Sequence, residues 1–474
     1  MSHTQDFLTR FKPRFHFIPE PAAAWTAILV LFIFTALGIL AGAGSILRVA
    51  FPLGSLLVGI FLYQKYPIFY ISFTFWLYFL TPLIRRLIDY WSGWVNPSPV
   101  LLAPPVVAFI TLATVAKRLP QSIRFGGLPF LLAFAGVGYA FTIGLIRSSP
   151  VVATRDLINW LAPLSFGFYL LVNWRHYPKY RQNIQRTFLW GVLIMGIYGV
   201  IQYLVAPEWD CFWLVESGMT SSAGSPEPLK IRVWSTMNSP GPFAAAMMVG
   251  LILLLSSSSV MRFPAAGFGY LSFLLAIVRS MWGAWLVALI IFSASLKSKL
   301  QLRLIITLLV LALLVIPLAN MEPFSERIST RLETFSNLEE DNSAQARQEL
   351  YRNHIDDALF NYQGTGIGQA FRLDENGQPI NIPIDSGIIA LFNTLGWFGG
   401  VPYLGGVILL IWKVSQTKEV KFDPFLSCCR AIGISFLLLI VIANSLVGFG
   451  GLMFWSFSTL TLAGYKYYRN QSCL

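Results

Sequence analysis

Apolar stretches of roughly 17–25 residues recur from one end of this chain to the other. Each matches the length a helix needs to cross a hydrocarbon core about 30 Å thick. About fourteen such segments are readable by hydropathy, at 22–43, 46–63, 66–84, 100–116, 127–146, 155–173, 186–205, 238–256, 264–279, 280–296, 303–320, 386–412, 427–445 and 447–465. Only 12% of the residues are charged, about half of what a soluble chain carries. The pattern predicts an all-α polytopic membrane protein.

The charges set the predicted orientation. Starting in the cytoplasm and alternating puts 21 of the 34 Lys and Arg on the inner side, with only Asp6, Glu20, Glu419 and Asp423 against them. The inner side is then +17 and the outer side −5, which together make the net +12. Loop Lys/Arg bias is a topology signal, so the basic excess does not point to nucleic acid. Residues 1–21 and 466–474 are expected as cytoplasmic tails. The stretches 22–320 and 386–465 form the helical bundle, and two long outer loops cover 206–237 and 321–385. The apolar run from about Ala22 to Gly42 follows Arg10, Lys12 and Arg14 without an A-x-A-like site, so it reads as a permanent helix rather than a cleaved signal. The four cysteines form no C-x-x-C pair and no Cys/His cluster, so neither a disulfide nor a zinc site is expected.

One charge tests the segment count. Arg279 lies in "LLAIVRSMWGAWLVALII". An arginine at the centre of a spanning helix costs at least about 2.5–3.5 kcal/mol. Fusing the ninth and tenth segments would also move "KSKLQLR" and "KVSQTKEVK" to the wrong side. A break at Arg279–Ser280, at the outer mouth of a tight helical turn, resolves both problems.

The remaining outward arginines are Arg232 in "IRVWSTMNSPGPFA", Arg147 and Arg155 around "SSPVVAT", Arg347 in the long loop, and Arg85–Arg86 at the end of the third segment. Guanidinium groups bind phosphates bidentately and stay charged; they also snorkel to headgroups with no further role. Asp385 precedes "SGIIALFNTLGWFGG" and suits either a general base or a helix N-cap. The loop stretch "NSAQARQELYRNHIDDALFNY" suggests an amphipathic helix carrying Tyr351 and His354, the latter a base or a surface histidine. "GTGIG" lacks the preceding strand and following Lys-Ser/Thr of a nucleotide loop. "NSPGP" reads as a helix start, and a helix start can also face a phosphate.

In this order the landmarks resemble the O-antigen ligase and Wzy-type polysaccharide polymerase superfamily. An Arg precedes a Pro/Asn-containing helix start ("IRVWSTMNSPGPFA"). A second Arg precedes a Trp/Gly-rich helix ("VRSMWGAWLVAL"). A long loop carries "RQELY" and runs into "GTGIGQAF". A short polar motif opens "IDSGIIALFNTLGWFGGVPYL". The resemblance covers about residues 190–412. It implies a lipid-carrier (GT-C-like) glycosyltransferase of the bacterial inner membrane that uses an undecaprenyl-diphosphate-linked glycan, with no metal or cofactor. Arg232 and Arg279 take the place of the family arginines at the diphosphate. Asp385 would be the base, and Arg147, Arg155, Arg347 and Tyr351 substrate contacts. Ligases to lipid A–core usually carry a His where this chain has Asp385–Ser386, which favours the polymerase branch. Further partners would be a glycan or lipid-linked acceptor and other polysaccharide-assembly proteins. A transporter or flippase is the alternative of another class. Against it stand the lack of an inverted repeat and the placing of Asp89, Asp156 and Asp385 at outer helix ends. A non-catalytic assembly subunit is the third reading.

Overall fold

The computed structural model describes residues 22–122, 126–295, 358–369 and 386–472, with the strands Phe371–Leu373 and Pro379–Asn381 and single helical positions at 301, 305, 309 and 355. The predicted tail 1–21, most of segment 303–320, and Arg347, Tyr351, His354 and Asp385 lie outside the described residues.

Sixteen helices are described: α1 (Ala22–Leu40), α2 (Gly44–Lys65), α3 (Pro67–Ser92), α4 (Ala103–Phe109), α5 (Leu112–Ser122), α6 (Leu128–Arg147), α7 (Pro150–Val172), α8 (Tyr177–Val205), α9 (Glu208–Glu216), α10 (Thr220–Ala223), α11 (Pro240–Leu254), α12 (Arg262–Leu275), α13 (Arg279–Ser295), α14 (Gly387–Ser415), α15 (Pro424–Leu439) and α16 (Gly448–Ser472). Among the described residues, seven stretches are long and apolar enough to cross a membrane: α1, α2, α3, the run Pro99–Pro120, α6, the run Trp174–Val205, and α14. Helices α11, α13 and α15 are apolar but shorter. The protein is thus a multi-pass helical membrane protein. One departure from all-helix is an antiparallel hairpin pairing β1 (Phe371–Leu373) with β2 (Pro379–Asn381).

Small residues let the spanning helices meet at backbone distance, as packing within lipid favours. Between α6 and α14, a Cβ on Gly136 would lie 2.3 Å from the Gly399 carbonyl oxygen, and one on Gly406 would lie 2.4 Å from that of Pro129. Helix α3 runs through the interior, with Tyr70, Phe73, Phe75 and Phe79 buried. By contrast, α1 and α2 show wide apolar faces such as Leu37, Leu40 and Leu57, the exposure expected toward acyl chains.

Several helices depart from the expected bounds: α8 begins at Tyr177 instead of 186, α15 ends at Leu439 instead of 445, and α16 continues to Ser472, into the expected tail 466–474. Helix α3 extends to Ser92, beyond the expected end at 84. Helix α14 is interrupted at Gly396, whose φ of 62° and ψ of −174° are not helical. At the end of the bundle opposite the 206–237 loop, Asp423 accepts the backbone N–H groups of Phe425 and Leu426, the hydroxyls of Tyr177 (2.7 Å) and Tyr468 (2.8 Å), and an ion pair from Arg181 (3.2 Å). That carboxylate caps α15 and ties it to α8 and α16.

Candidate functional site at the loop end of the bundle

The predicted break at Arg279 is present. Helix α12 ends at Leu275, Ile277 has φ +53°, and Arg279 is the first residue of α13. The half-buried Arg279 side chain therefore starts a helix instead of interrupting one. Arg232 comes to the same junction. Its Nε donates to the Ala276 carbonyl (3.3 Å), Nη2 to that of Ile277 (2.9 Å), and Nη1 to that of Ser222 (2.5 Å). The Val233 amide bonds the Leu275 carbonyl at 3.1 Å. Carbonyls left open at the end of α12 thus find donors, and Arg232 bonds the turn that leads directly into Arg279. The geometry of Arg232 is set by those carbonyls, while its charge stays at the junction.

Beneath this turn lies a buried polar network that the sequence reading missed. Arg86 and Asp210, both fully buried, approach to 3.3 Å (Nε to Oδ1). Asp210 Oδ2 accepts from the Tyr198 hydroxyl (2.9 Å) and Gln202 Nε2 (2.7 Å). Gln202 Oε1 in turn accepts the amides of Trp234 (3.0 Å) and Ser235 (2.8 Å). Arg86 Nη2 donates to the Ser235 carbonyl at 2.5 Å. Ser235 has φ +51°, a strained value for a non-glycine residue. The network holds it there, three residues after Arg232. Burial pushes the Asp210 carboxyl above the usual carboxylate range, against the pull of the Arg86 charge and the bonds from Gln202 and Tyr198.

Arg85 and Arg86 therefore neither snorkel nor wait for phosphate. Arg85 Nε pairs with Asp89 at 3.1 Å, and Arg48 Nη2 reaches the other Asp89 oxygen at 3.3 Å. Arg85 Nη2 also donates to the Val95 carbonyl, and its guanidinium lies 4.7 Å from the Trp94 ring centroid. These partners explain the extra length of α3: its charges are neutralised within the fold, so the helix need not end where they begin.

The "GTGIG" turn forms a second cluster, on α6, α7 and α14. Gly364, Gly366 and Gly368 all have positive φ (74°, 86° and 101°). Its five amides all have protein acceptors. Gly364 bonds Asn361, Thr365 the Asn393 carbonyl (2.8 Å), Gly366 the Thr394 carbonyl (3.0 Å), Ile367 the Ala140 carbonyl (3.0 Å), and Gly368 the Asp156 carboxylate (3.0 Å). It is therefore not a phosphate cradle. The Thr365 and Gly366 amides cap the Asn393 and Thr394 carbonyls released by the break at Gly396, which would be costly to leave buried without a donor. Arg147 clamps the turn from α6, with Nη1 on the Gly364 carbonyl (2.5 Å) and Nη2 on Gln363 Oε1 (3.0 Å). Arg155 is half-buried beside Asp156 in α7. A Cβ on Gly366 would stand 2.4 Å from the Gly144 amide nitrogen. We expect Gly366→Ala to destabilise the protein by more than the roughly 1–3 kcal/mol of left-handed strain alone, seen as a lower thermal midpoint in detergent. An unchanged midpoint would contradict the capping role.

The helix start at "NSPGP" is a poor anion site. Pro240 and Pro242 have no N–H, and the Phe243 amide bonds the Ser239 carbonyl, so Gly241 supplies the remaining first-turn amide. Among the described residues no group of three His, Cys, Asp or Glu side chains could hold a metal ion. No family model, no curated protein and no solved structure matches the chain.

Proposed function

We propose that this protein is an inner-membrane glycosyltransferase that joins undecaprenyl-diphosphate-linked glycan units on the outer face, with polymerisation favoured over ligation to lipid A–core. The observation that carries the reading is the convergence of Arg232 on the two carbonyls just before Arg279. It gathers two cations at one helix junction, as a dianionic leaving group requires. An acceptor sugar hydroxyl attacks the anomeric carbon, the bond to the diphosphate breaks, and the diphosphate leaves with its electron pair. Fixed positive charge where negative charge develops lowers that barrier most in a low-dielectric site. In this reading Asp385 takes the proton of the attacking hydroxyl. Arg147 acts through the glycine turn it clamps, and Arg155, Arg347 and Tyr351 are substrate contacts.

The break in α14 is the one feature that favours a transporter, because discontinuous helices line many transport sites. Its carbonyls at Asn393 and Thr394 are nevertheless occupied by the amides of Thr365 and Gly366. Incubation of the pure protein with a lipid-linked oligosaccharide separates the readings. A product ladder indicates a polymerase, and a single transfer product indicates a ligase. Accumulation in vesicles with no new bond indicates a transporter and overturns the proposal.

A further inference from the structure

The described end of the long loop carries its own apolar surface. Phe360 is 71% exposed and Tyr362 58% exposed, with Leu359 and Ile355 also open. This segment is pinned to α14 just past the break. The Trp397 indole N–H donates to the Ala358 carbonyl at 3.2 Å, and the Trp397 amide donates to that of Tyr362 at 2.9 Å. Tyr139 of α6 adds a bond from its hydroxyl to the Gln363 carbonyl at 3.3 Å, and its ring meets Phe398 at 6.0 Å.

Helix α14 sets the depth of that segment. Trp397, Val401, Ile408 and Trp412 are exposed at helical spacing and form one stripe along a helix long and apolar enough to span. Trp397 and Trp412 are separated by about 22 Å along the axis, at 1.5 Å per residue. Tryptophans prefer the two water–hydrocarbon boundaries, so Trp397 marks one boundary and Lys413, beside Trp412, lies just past the other. Residues fastened to Trp397 share its level.

We infer that Ile355 and residues 358–362 form an interfacial anchor that lies in the headgroup–acyl boundary of a phospholipid bilayer, continuous with the lipid-facing stripe of α14. Exposed Leu359, Phe360 and Tyr362 bury apolar surface among acyl chains there, while Gln363 and Arg147 stand at the polar side. The anchor holds the glycine turn that follows it at membrane level.

Site-directed bimane fluorescence tests this in bilayer nanodiscs. The label is placed at Phe360→Cys, and separately at Leu359→Cys, in a background with Cys211→Ser and Cys473→Ser. A label at Glu227→Cys, in the other outer loop, is the aqueous control. The anchor predicts blue-shifted emission at 359 and 360, loss of most of that emission when the acyl chains are brominated near the glycerol end, and little quenching by iodide. The control should show the reverse. Iodide quenching at 360 with no effect of brominated lipid would place the segment in water and overturn the inference. Resistance to both quenchers would show that protein covers it, which overturns the inference equally.

Discussion

Asp210→Ala is expected to lower stability by about 3–5 kcal/mol, because it leaves the Arg86 guanidinium buried without its counter-charge. The loss reaches beyond one pair. Tyr198 and Gln202 lose their shared acceptor, and Gln202 is the group that holds the Trp234 and Ser235 amides. Ser235 is then free to leave its strained conformation, and the segment carrying Arg232 loosens from the α12–α13 junction. The thermal midpoint in detergent should fall by on the order of 10 °C. A double variant, Arg86→Met with Asp210→Leu, should recover much of the loss, since well-packed apolar residues often replace a buried ion pair at little cost. The network predicts strong non-additivity between the two sites. A midpoint in Asp210→Ala equal to that of the wild type would show that the pair bears no structural weight.

Arg279→Ala is expected to slow glycan transfer by about 10²–10³-fold, the scale of losing one preorganised group at a developing charge. The loss of turnover should exceed any effect on the thermal midpoint, because the packing of α13 rests on Met281, Trp282, Ala284 and Ala288. Arg279→Lys should fall between alanine and wild type: it keeps the charge but loses the planar fork that meets two phosphate oxygens at once. Arg232→Ala should differ in kind, lowering both turnover and the midpoint, because its side chain also closes the end of α12. Wild-type turnover in Arg279→Ala would remove this residue from the mechanism.

The helical plan was readable because lipid imposes two simple rules on a sequence. Spans must be long and apolar, and a charge inside one must be explained. The second rule located the α12–α13 break, where Arg279 could not stay at mid-depth. The same rule misjudged the end of α3. Arg85, Arg86 and Asp89 look like headgroup-level residues when only their own helix is considered. Their partners come from elsewhere: Arg48 on α2, Asp210 on α9 and the Ser235 carbonyl. Asp210 had left a signal in "PEWDCFWL", an acid amid aromatics, but its partner Arg86 lies 124 residues upstream, and pairing across that distance needs the fold. Gly396 was invisible for another reason. "LGWFGG" serves equally well as a packing face or a break, and what decides is whether a distant segment can cap the freed carbonyls. The glycine turn provides that cap, which explains why its three left-handed residues resembled a ligand loop without being one.

Central to the proposed function are cations at the α12–α13 junction that grip a pyrophosphate. The most direct measurement is a binding titration of the pure protein in nanodiscs with undecaprenyl diphosphate, set beside undecaprenyl monophosphate, for the wild type and for Arg279→Ala. The wild type should prefer the diphosphate, and the variant should lose about tenfold or more of that affinity, the scale of a lost charge-assisted contact of about 1.5–3 kcal/mol. Equal affinity in both proteins, or no preference for the second phosphate, would contradict it.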